Sequence, residues 1–296
     1  MNPRELYKLN EETLRAEVDT NPFGSFKIND NWKRLEDIEE RSPCSKCHKS
    51  RKYFCYTCCL PLENVKLLLP KISLPLKIDI IKHCREIDGK STAIHAAIIA
   101  PEDVTIYTYP DIPDYSTEPG VILIYPNKNA VSLEDCVNPS KNCTERLRIH
   151  DIKKAVFIDS TWNQSKGIYK DSRIQSLPCF VLRSRISQFW RHQRGSPRWY
   201  LATIEAIHQL LIDYQAALKL HLYKEKTKLQ NWSKSEDSGQ LGLTVTDSTL
   251  NIVSCDDSLV YDNAYDDLLF FFRFMYEKIH QLYDHESLRS YKRPLT

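Results

Sequence analysis

Short apolar runs and longer amphipathic ones alternate along the chain from residue 76 onward. Residues 77–81, 104–107, 121–124, 154–158 and 179–182 are rich in β-branched and aromatic side chains and are bounded by polar or turn-forming residues. Runs of that length and composition predict buried strands. Residues 92–99 predict a helix between the first two strands. A longer helix is predicted over 200–222, where Ile204, Ile207, Leu211, Tyr214 and Leu218 recur at spacings of three and four. A last helix is predicted over 264–283, with Leu268, Leu269, Phe271, Phe272, Met275, Ile279 and Leu282 as its apolar positions. Strands alternating with helices predict an α/β fold with a mostly parallel sheet flanked by helices.

The flanking segments read differently. Residues 1–40 are polar and charged, with a turn at Asn21-Pro22-Phe23-Gly24, and predict an extension carrying one short helix over 3–18. Residues 41–62 form a cysteine-rich module, and 63–296 the main α/β domain. Within that domain, 224–263 is polar and acidic and predicts a flexible insertion.

Composition narrows the function classes. The chain has 296 residues, 42% hydrophobic and 27% charged, with a net charge of +2. That balance is ordinary for a globular protein, and the whole-molecule field selects no partner. No apolar run approaches the roughly 18 residues that would span a bilayer, and the N-terminus carries no signal-peptide core. An intracellular, reducing compartment is therefore expected, with no membrane partner. There the ten cysteines point to metal ligands and buried thiols rather than disulfides. The seven glycines never fall in a G-x-G pattern. This excludes the glycine-rich phosphate turn of dinucleotide-binding folds, so any cofactor pocket must be built another way.

Three clusters carry chemistry. Cys44-x2-Cys47 and Cys55-x2-Cys58 are two C-x2-C pairs separated by seven residues. Four thiolates at this spacing suit a structural tetrahedral Zn²⁺; buried free cysteines and an iron–sulfur cluster are the alternatives, and His48 and Cys59 are surplus ligands nearby. Arg41, Lys46, His48, Lys49, Arg51 and Lys52 crowd around these cysteines, either to meet phosphates or as a solvated face. The second cluster is Asp159-Ser160-Thr161-Trp162, which ends the strand over 154–158. In open α/β sheets that strand end is where ligands bind. The alternative is a helix cap at Asp159 or Ser160. The third is the acid-free stretch over 172–204, where Arg183, Arg185, Arg191, Arg194 and Arg198 interleave with Phe189, Trp190, Trp199 and Tyr200. Arginines contact phosphates and aromatic faces stack on unpaired bases, so the stretch fits an RNA groove; a basic loop with inward-packed aromatics is the bland reading. Glu205 could cap the helix that follows, hold a cofactor amine, or sit buried against an arginine.

These words occur in a telling order: the two C-x2-C pairs, Ile122-Leu123-Ile124-Tyr125-Pro126-Asn127, Asp159-Ser160-Thr161-Trp162, then Leu201-Ala202-Thr203-Ile204-Glu205-Ala206. Over roughly 40–285 the chain resembles the DTW-domain family of tRNA-uridine aminocarboxypropyltransferases, eukaryotic type-1 branch. The resemblance implies a knotted, SPOUT-like sheet. It implies transfer of the 3-amino-3-carboxypropyl group of S-adenosylmethionine to N3 of a uridine in the tRNA D-loop, releasing methylthioadenosine. Asp159, Thr161 and Trp162 would then be catalytic, and Tyr125, Pro126, Asn127, Leu201, Thr203 and Glu205 would surround the co-substrate. The partner would be tRNA, not DNA, and the branch implies a nuclear protein. Three spellings depart from the family: Ser160 stands where Gly is frequent, Ala202-Thr203 where Ser-Thr is frequent, and His83-Cys84-Arg85-Glu86 where His-Pro-x-Glu is usual. An RNA methyltransferase using the same co-substrate and a non-catalytic zinc-ribbon RNA-binding protein are the rival functions.

Overall fold

The structure is a computed structural model that describes residues 13, 15–137, 147–183, 185–236 and 261–295. It begins with two small hairpins. Strands β1 (Ser42–Pro43) and β2 (Ser50–Arg51) pair antiparallel, as do β3 (Phe54–Cys55) and β4 (Leu60–Pro61). The short helix α1 (Glu63–Lys66) leads from them into the sheet domain.

Five parallel strands follow: β5 (Lys77–Lys82), β6 (Val104–Thr108), β7 (Val121–Ile124), β8 (Lys154–Asp159) and β9 (Cys179–Phe180). Their spatial order is β6-β5-β8-β7-β9, so β8 is central. Ile78, Ile80 and Ile81 of β5 and Ala155 and Val156 of β8 are fully buried. Central parallel strands are covered on both faces, which is why their sequences read as continuous apolar runs. Asp79 breaks that rule, and its carboxylate accepts from Tyr115 Oη at 3.0 Å and pairs with Lys154 Nζ at 3.3 Å. The last strand is shorter than the predicted 179–182. Beyond Phe180 the chain turns away, Val181 N donating to Val131 O and Arg183 N to the Asp213 carboxylate.

Helix α2 (Ala93–Ile99) is buried on every side, which suits a sequence that is apolar except for His95. The short helices α3 (Trp162–Tyr169) and α4 (Ser172–Gln175) lie between β8 and β9. Helix α5 runs from Thr203 to Glu236, past the predicted end at 222. The insertion expected from 224 therefore starts as helix, because its first dozen residues (Lys, Glu, Thr, Leu, Gln and the like) contain no Gly or Pro to stop the turn. Residues 237–260 lie outside the described residues. The final predicted helix starts as a 3₁₀ turn, Asp266–Leu269, and continues as α6 (Phe270–Leu282). Phe270, Phe271, Phe272 and Phe274 of α6 are buried in the main core.

The polar stretch before residue 41 is not set apart from this core. Residues 15–20 are helical; the rest of the expected 3–18 helix lies outside the described residues. Phe23 packs edge-on against Phe272 and Tyr276, and Leu35 is fully buried. The cysteine module is likewise docked, Tyr53 on Phe274 and Phe54 on Phe271, both edge-to-face at under 5 Å. Among the described residues no helix is long and apolar enough to cross a membrane.

Candidate active site

Asp159 is the last residue of the central strand, and it is 7% exposed. Both of its carboxylate oxygens are engaged. Ser91 Oγ donates to one at 2.6 Å and Thr203 Oγ1 to the other at 2.5 Å. His83 N donates to its backbone carbonyl at 3.1 Å. Three segments are thus tied to one strand end: the turn after β5, the approach to α2 and the first residue of α5. Burial raises the Asp159 pKa above the ordinary carboxylate value, against the two hydroxyl hydrogen bonds and the charge of Lys82. Lys82 itself pairs with Asp88. Glu86 is held up in the same direction, first by burial and then by the charge of Asp159. Ser91 is a site residue that the sequence did not single out; nothing marks it there except its place one residue before a helix cap.

The helix after β8 is capped by Thr161, not by Asp159 or Ser160. Gln164 Oε1 accepts from Thr161 N at 3.1 Å and from Thr161 Oγ1 at 2.8 Å. That frees Asp159 from capping and commits the Thr161 hydroxyl to it. Trp162 opens α3 and is 39% exposed. Its ring lies 4.6 Å from Tyr200 and 6.4 Å from Tyr125. Tyr125 stacks on Tyr169 at 4.5 Å, and Asn127 Nδ2 donates to Tyr169 Oη at 3.0 Å. An aromatic-walled edge therefore joins the ends of β7 and β8 to the start of α5. It gathers the predicted Tyr125, Asn127 and Trp162, with Pro126 and Leu201 as chain neighbours of its rings. Tyr169 was not foreseen, although it stands seven residues after Trp162 and so on the same helical face.

Glu205 faces elsewhere. It is fully buried and accepts from Ser187 Oγ at 2.6 Å, Gln188 N at 2.7 Å and Ala202 N at 2.9 Å, with Arg185 at 3.9 Å. Its oxygens latch the arginine-rich loop to α5, and full burial keeps it out of reach of a co-substrate amine. Thr203, on the same turn, is the residue that reaches Asp159.

The five arginines divide. Arg183, Arg191 and Arg194 are exposed. Arg198 is not an RNA contact: it is fully buried and forms a two-pronged pair with Asp19 at 2.7 and 3.2 Å. Arg185 is also turned inward, its Nη1 2.9 Å from His208 Nδ1 and its guanidinium over Phe26. Burial holds His208 at a pKa of about 4. The ring is therefore neutral, Nδ1 accepts from Arg185, and Nε2–H donates to Asp266 at 2.8 Å. A second cationic surface, unforeseen, lies where His192 meets Arg289, Lys292 and Arg293 around a cavity of about 480 Å³.

The cysteine module fits a metal. Cys44, Cys47, Cys55 and Cys58 bring their sulfurs within 4.8 Å of one another, and Cys47 Sγ is 3.5 Å from Cys55 Sγ. Zinc–sulfur bonds of about 2.3 Å in a tetrahedron require sulfurs about 3.8 Å apart. Each pair sits in the turn of a hairpin, and the residue after it, His48 or Cys59, takes a positive φ of 56° or 53°. That backbone turn, used twice, leaves His48 and Cys59 outside the set. Burial alone would raise Cys55, but the N–H groups of Cys58 and Thr57 and the neighbouring thiols outweigh it and bring its pKa to about 6. Cys58 moves the other way, pushed up to about 12 by burial and the neighbouring thiols, and a bound cation would be what deprotonates it; four thiols so placed suit Zn²⁺ in a closed, structural site.

Comparison with known proteins places this geometry. The DTW domain model matches residues 52–280. The tRNA-uridine aminocarboxypropyltransferase 1 of Xenopus tropicalis is 39% identical over 81% of this chain and 79% of its own length. The protein of that name from Xenopus laevis is 34% identical over 91% of this chain and 96% of its own. The human one is 39% identical over 81% and 77%. A solved SAM-dependent rRNA:acp-transferase from Vulcanisaeta distributa covers 54% of this chain and 76% of its own, at 16% identity and a TM-score of 0.32, too slight a likeness to build on.

Proposed function

The chain belongs to the DTW-domain family, and on that footing we propose that it transfers the 3-amino-3-carboxypropyl group of S-adenosylmethionine to N3 of a tRNA uridine in the D-loop. In that reaction N3 gives up its proton and its electron pair forms a bond to Cγ of the donor. The Cγ–S bond breaks, its pair stays on sulfur, and the sulfonium leaves as neutral methylthioadenosine. The observation that carries the reading is the convergence on Asp159 at the end of the central strand, beside the aromatic edge of Tyr125, Trp162 and Tyr200.

What these residues do follows from their chemistry. The aromatic edge offers flat apolar surface for a nucleobase or an adenine. Asp159 fixes the Ser91 and Thr203 hydroxyls and is first a positioning residue. Each of its oxygens accepts one hydroxyl and keeps a second lone pair, which could take the N3 proton, and its burial-raised basicity favours that transfer. The exposed Arg183, Arg191 and Arg194 face the RNA backbone. The four cysteines would hold a zinc ion, which would keep the small module folded against α6. We further read the sheet as the knotted SPOUT class and the protein as nuclear, both from the family branch.

The test is mass spectrometry of tRNA nucleosides after incubation with S-adenosylmethionine labelled in the aminocarboxypropyl group. Label in a modified uridine, with methylthioadenosine released in equal amount, is expected. S-adenosylhomocysteine instead would mean a methyltransferase, and tRNA binding without any incorporation would mean a binding module.

A further inference from the structure

A cavity of about 230 Å³ lies where the cysteine module meets the sheet domain, and Ser91, which donates to the Asp159 carboxylate, is part of its lining. Nothing in the reaction described above uses it. Its walls are Tyr53, Phe54 and Tyr56 from the module, Trp190 from the arginine-rich loop, and His95 from α2. Its rim carries Arg41, Arg51, Lys52, Lys90 and Arg191. The one carboxylate there, Asp88, is paired with Lys82. The net field at the mouth is therefore strongly positive.

A second observation points to a ligand. His95 is 5% exposed, it lines the cavity, and its Nδ1 has no hydrogen-bond partner. A buried polar nitrogen left unpaired costs about 1–3 kcal/mol, so such groups are retained where something completes them. The imidazole is neutral, because burial brings its pKa to about 3. It can thus offer a single directional hydrogen bond, as a base edge requires, rather than a charge. Volume narrows the ligand further. Pockets that enclose a whole drug-sized ligand span roughly 300–1,000 Å³, so this cavity, at about 230 Å³, suits one ring-sized fragment. Aromatic walls, one neutral hydrogen-bonding group and a cationic rim are together the recognition chemistry of a single-stranded nucleotide.

We propose that this cavity seats one unpaired nucleotide of the RNA substrate, its base among Tyr56, Trp190 and His95 and its phosphates on Lys90, Arg191 and Arg41. This rests on the RNA-modifying reading given above. The module is then half of an RNA-binding site and not only a folding aid. Ser91, which both lines the cavity and donates to Asp159, is the residue through which the filled cavity touches the strand end.

The test uses the full chain and an unmodified tRNA transcript in fluorescence anisotropy across a salt series. Lys90 and Arg191 are exposed, so Lys90→Ala/Arg191→Ala should fold. It is expected to raise Kd about tenfold at 0.1 M salt and to flatten the plot of log Kd against log salt by about 1.4, at roughly 0.7 per single-strand phosphate contact. His95→Phe keeps an aromatic ring, slightly larger, and removes both ring nitrogens. It is expected to raise Kd several-fold with the salt slope unchanged, and a thermal melt checks that it folds. Methylthioadenosine binding should be unchanged in both variants. Parental Kd and slope in the double variant, with the parent protein binding tRNA, would overturn the cavity proposal and the Arg191 backbone contact with it, while leaving the transfer reaction standing. Absence of tRNA binding by the parent protein would overturn the RNA reading and the cavity with it.

Discussion

Asp159→Asn separates the two things this carboxylate can do. The amide keeps the shape and one acceptor oxygen, so it can still receive one of the two hydroxyls that Ser91 and Thr203 now donate. The other hydroxyl must turn and accept from the amide. A hydrogen bond to a charged group contributes about 1.5–3 kcal/mol and a neutral one about 0.5–1.5. Two bonds so weakened cost about 2–3 kcal/mol. Against this, the variant no longer buries a charge at a site 7% exposed. The net change should stay within about 2 kcal/mol, a shift of a few degrees in Tm for a chain of this size. The pH dependence gives a second signature. Burial raises the folded-state pKa, so the contribution of Asp159 is fully present below its unfolded value and is lost as pH rises through the folded value. Asparagine does not titrate. Relative to the parent, the variant should therefore gain stability as pH rises from the unfolded carboxylate range upward, read by calorimetry at several pH values. Single-turnover incorporation of labelled aminocarboxypropyl should fall by about a hundredfold or more if the carboxylate takes the proton. Parental turnover in a folded variant would refute any charge-dependent role, and a variant that melts at every pH would refute the balance worked out here.

Cys47→Ser should lower zinc, measured by elemental analysis, from one per chain toward zero, with a lower Tm and earlier proteolysis near residue 60, since three ligands hold the ion poorly. Arg198→Ala should cost about 2–4 kcal/mol in denaturant unfolding. This is less than a fully enclosed pair would lose, because Asp19 keeps partial exposure and has His285 at 3.4 Å. Trp162→Ala, at an exposed ring, should change Tm by little and weaken substrate binding about 10- to 100-fold, as the loss of about 1–3 kcal/mol of stacking predicts.

The sheet was legible because its strands are local events. A covered parallel strand announces itself by four or five apolar residues, and β5, β6, β7 and β8 fall within a residue of the runs that predicted them. The metal set was legible for the same reason, since each C-x2-C pair closes its own turn. Their arrangement in space was not. The order β6-β5-β8-β7-β9 depends on which edges the crossing segments cover, and no single run encodes that. Ser91 stayed hidden because its partner is 68 residues away, and an isolated serine before a helix is ordinary.

The arginines show why a charged stretch read alone misleads. Between residues 172 and 204 there is no acid, so every arginine looks unpaired and available. The acids that pair with four of them come from outside the stretch: Asp171 reaches Arg173, Glu134 and Asp213 lie beside Arg183, Glu205 lies beside Arg185, and Asp19 reaches Arg198. The C-terminal residues finish the enclosure. Arg198 N donates to Pro294 O, Tyr291 Oη to Gln188 O, and Arg293 Nη1 to Pro197 O. Arg15 in turn donates to the carbonyls of Tyr291 and Arg293. Both ends of the described chain thus clamp the loop that displays Arg191 and Arg194. The buried arginines set the loop's path, and the exposed ones inherit their direction from it. The N-terminal stretch that reads as a polar extension is therefore part of what aims the cationic surface, and its loss should disorder Arg191 and Arg194 while leaving the central strand and Asp159 in place.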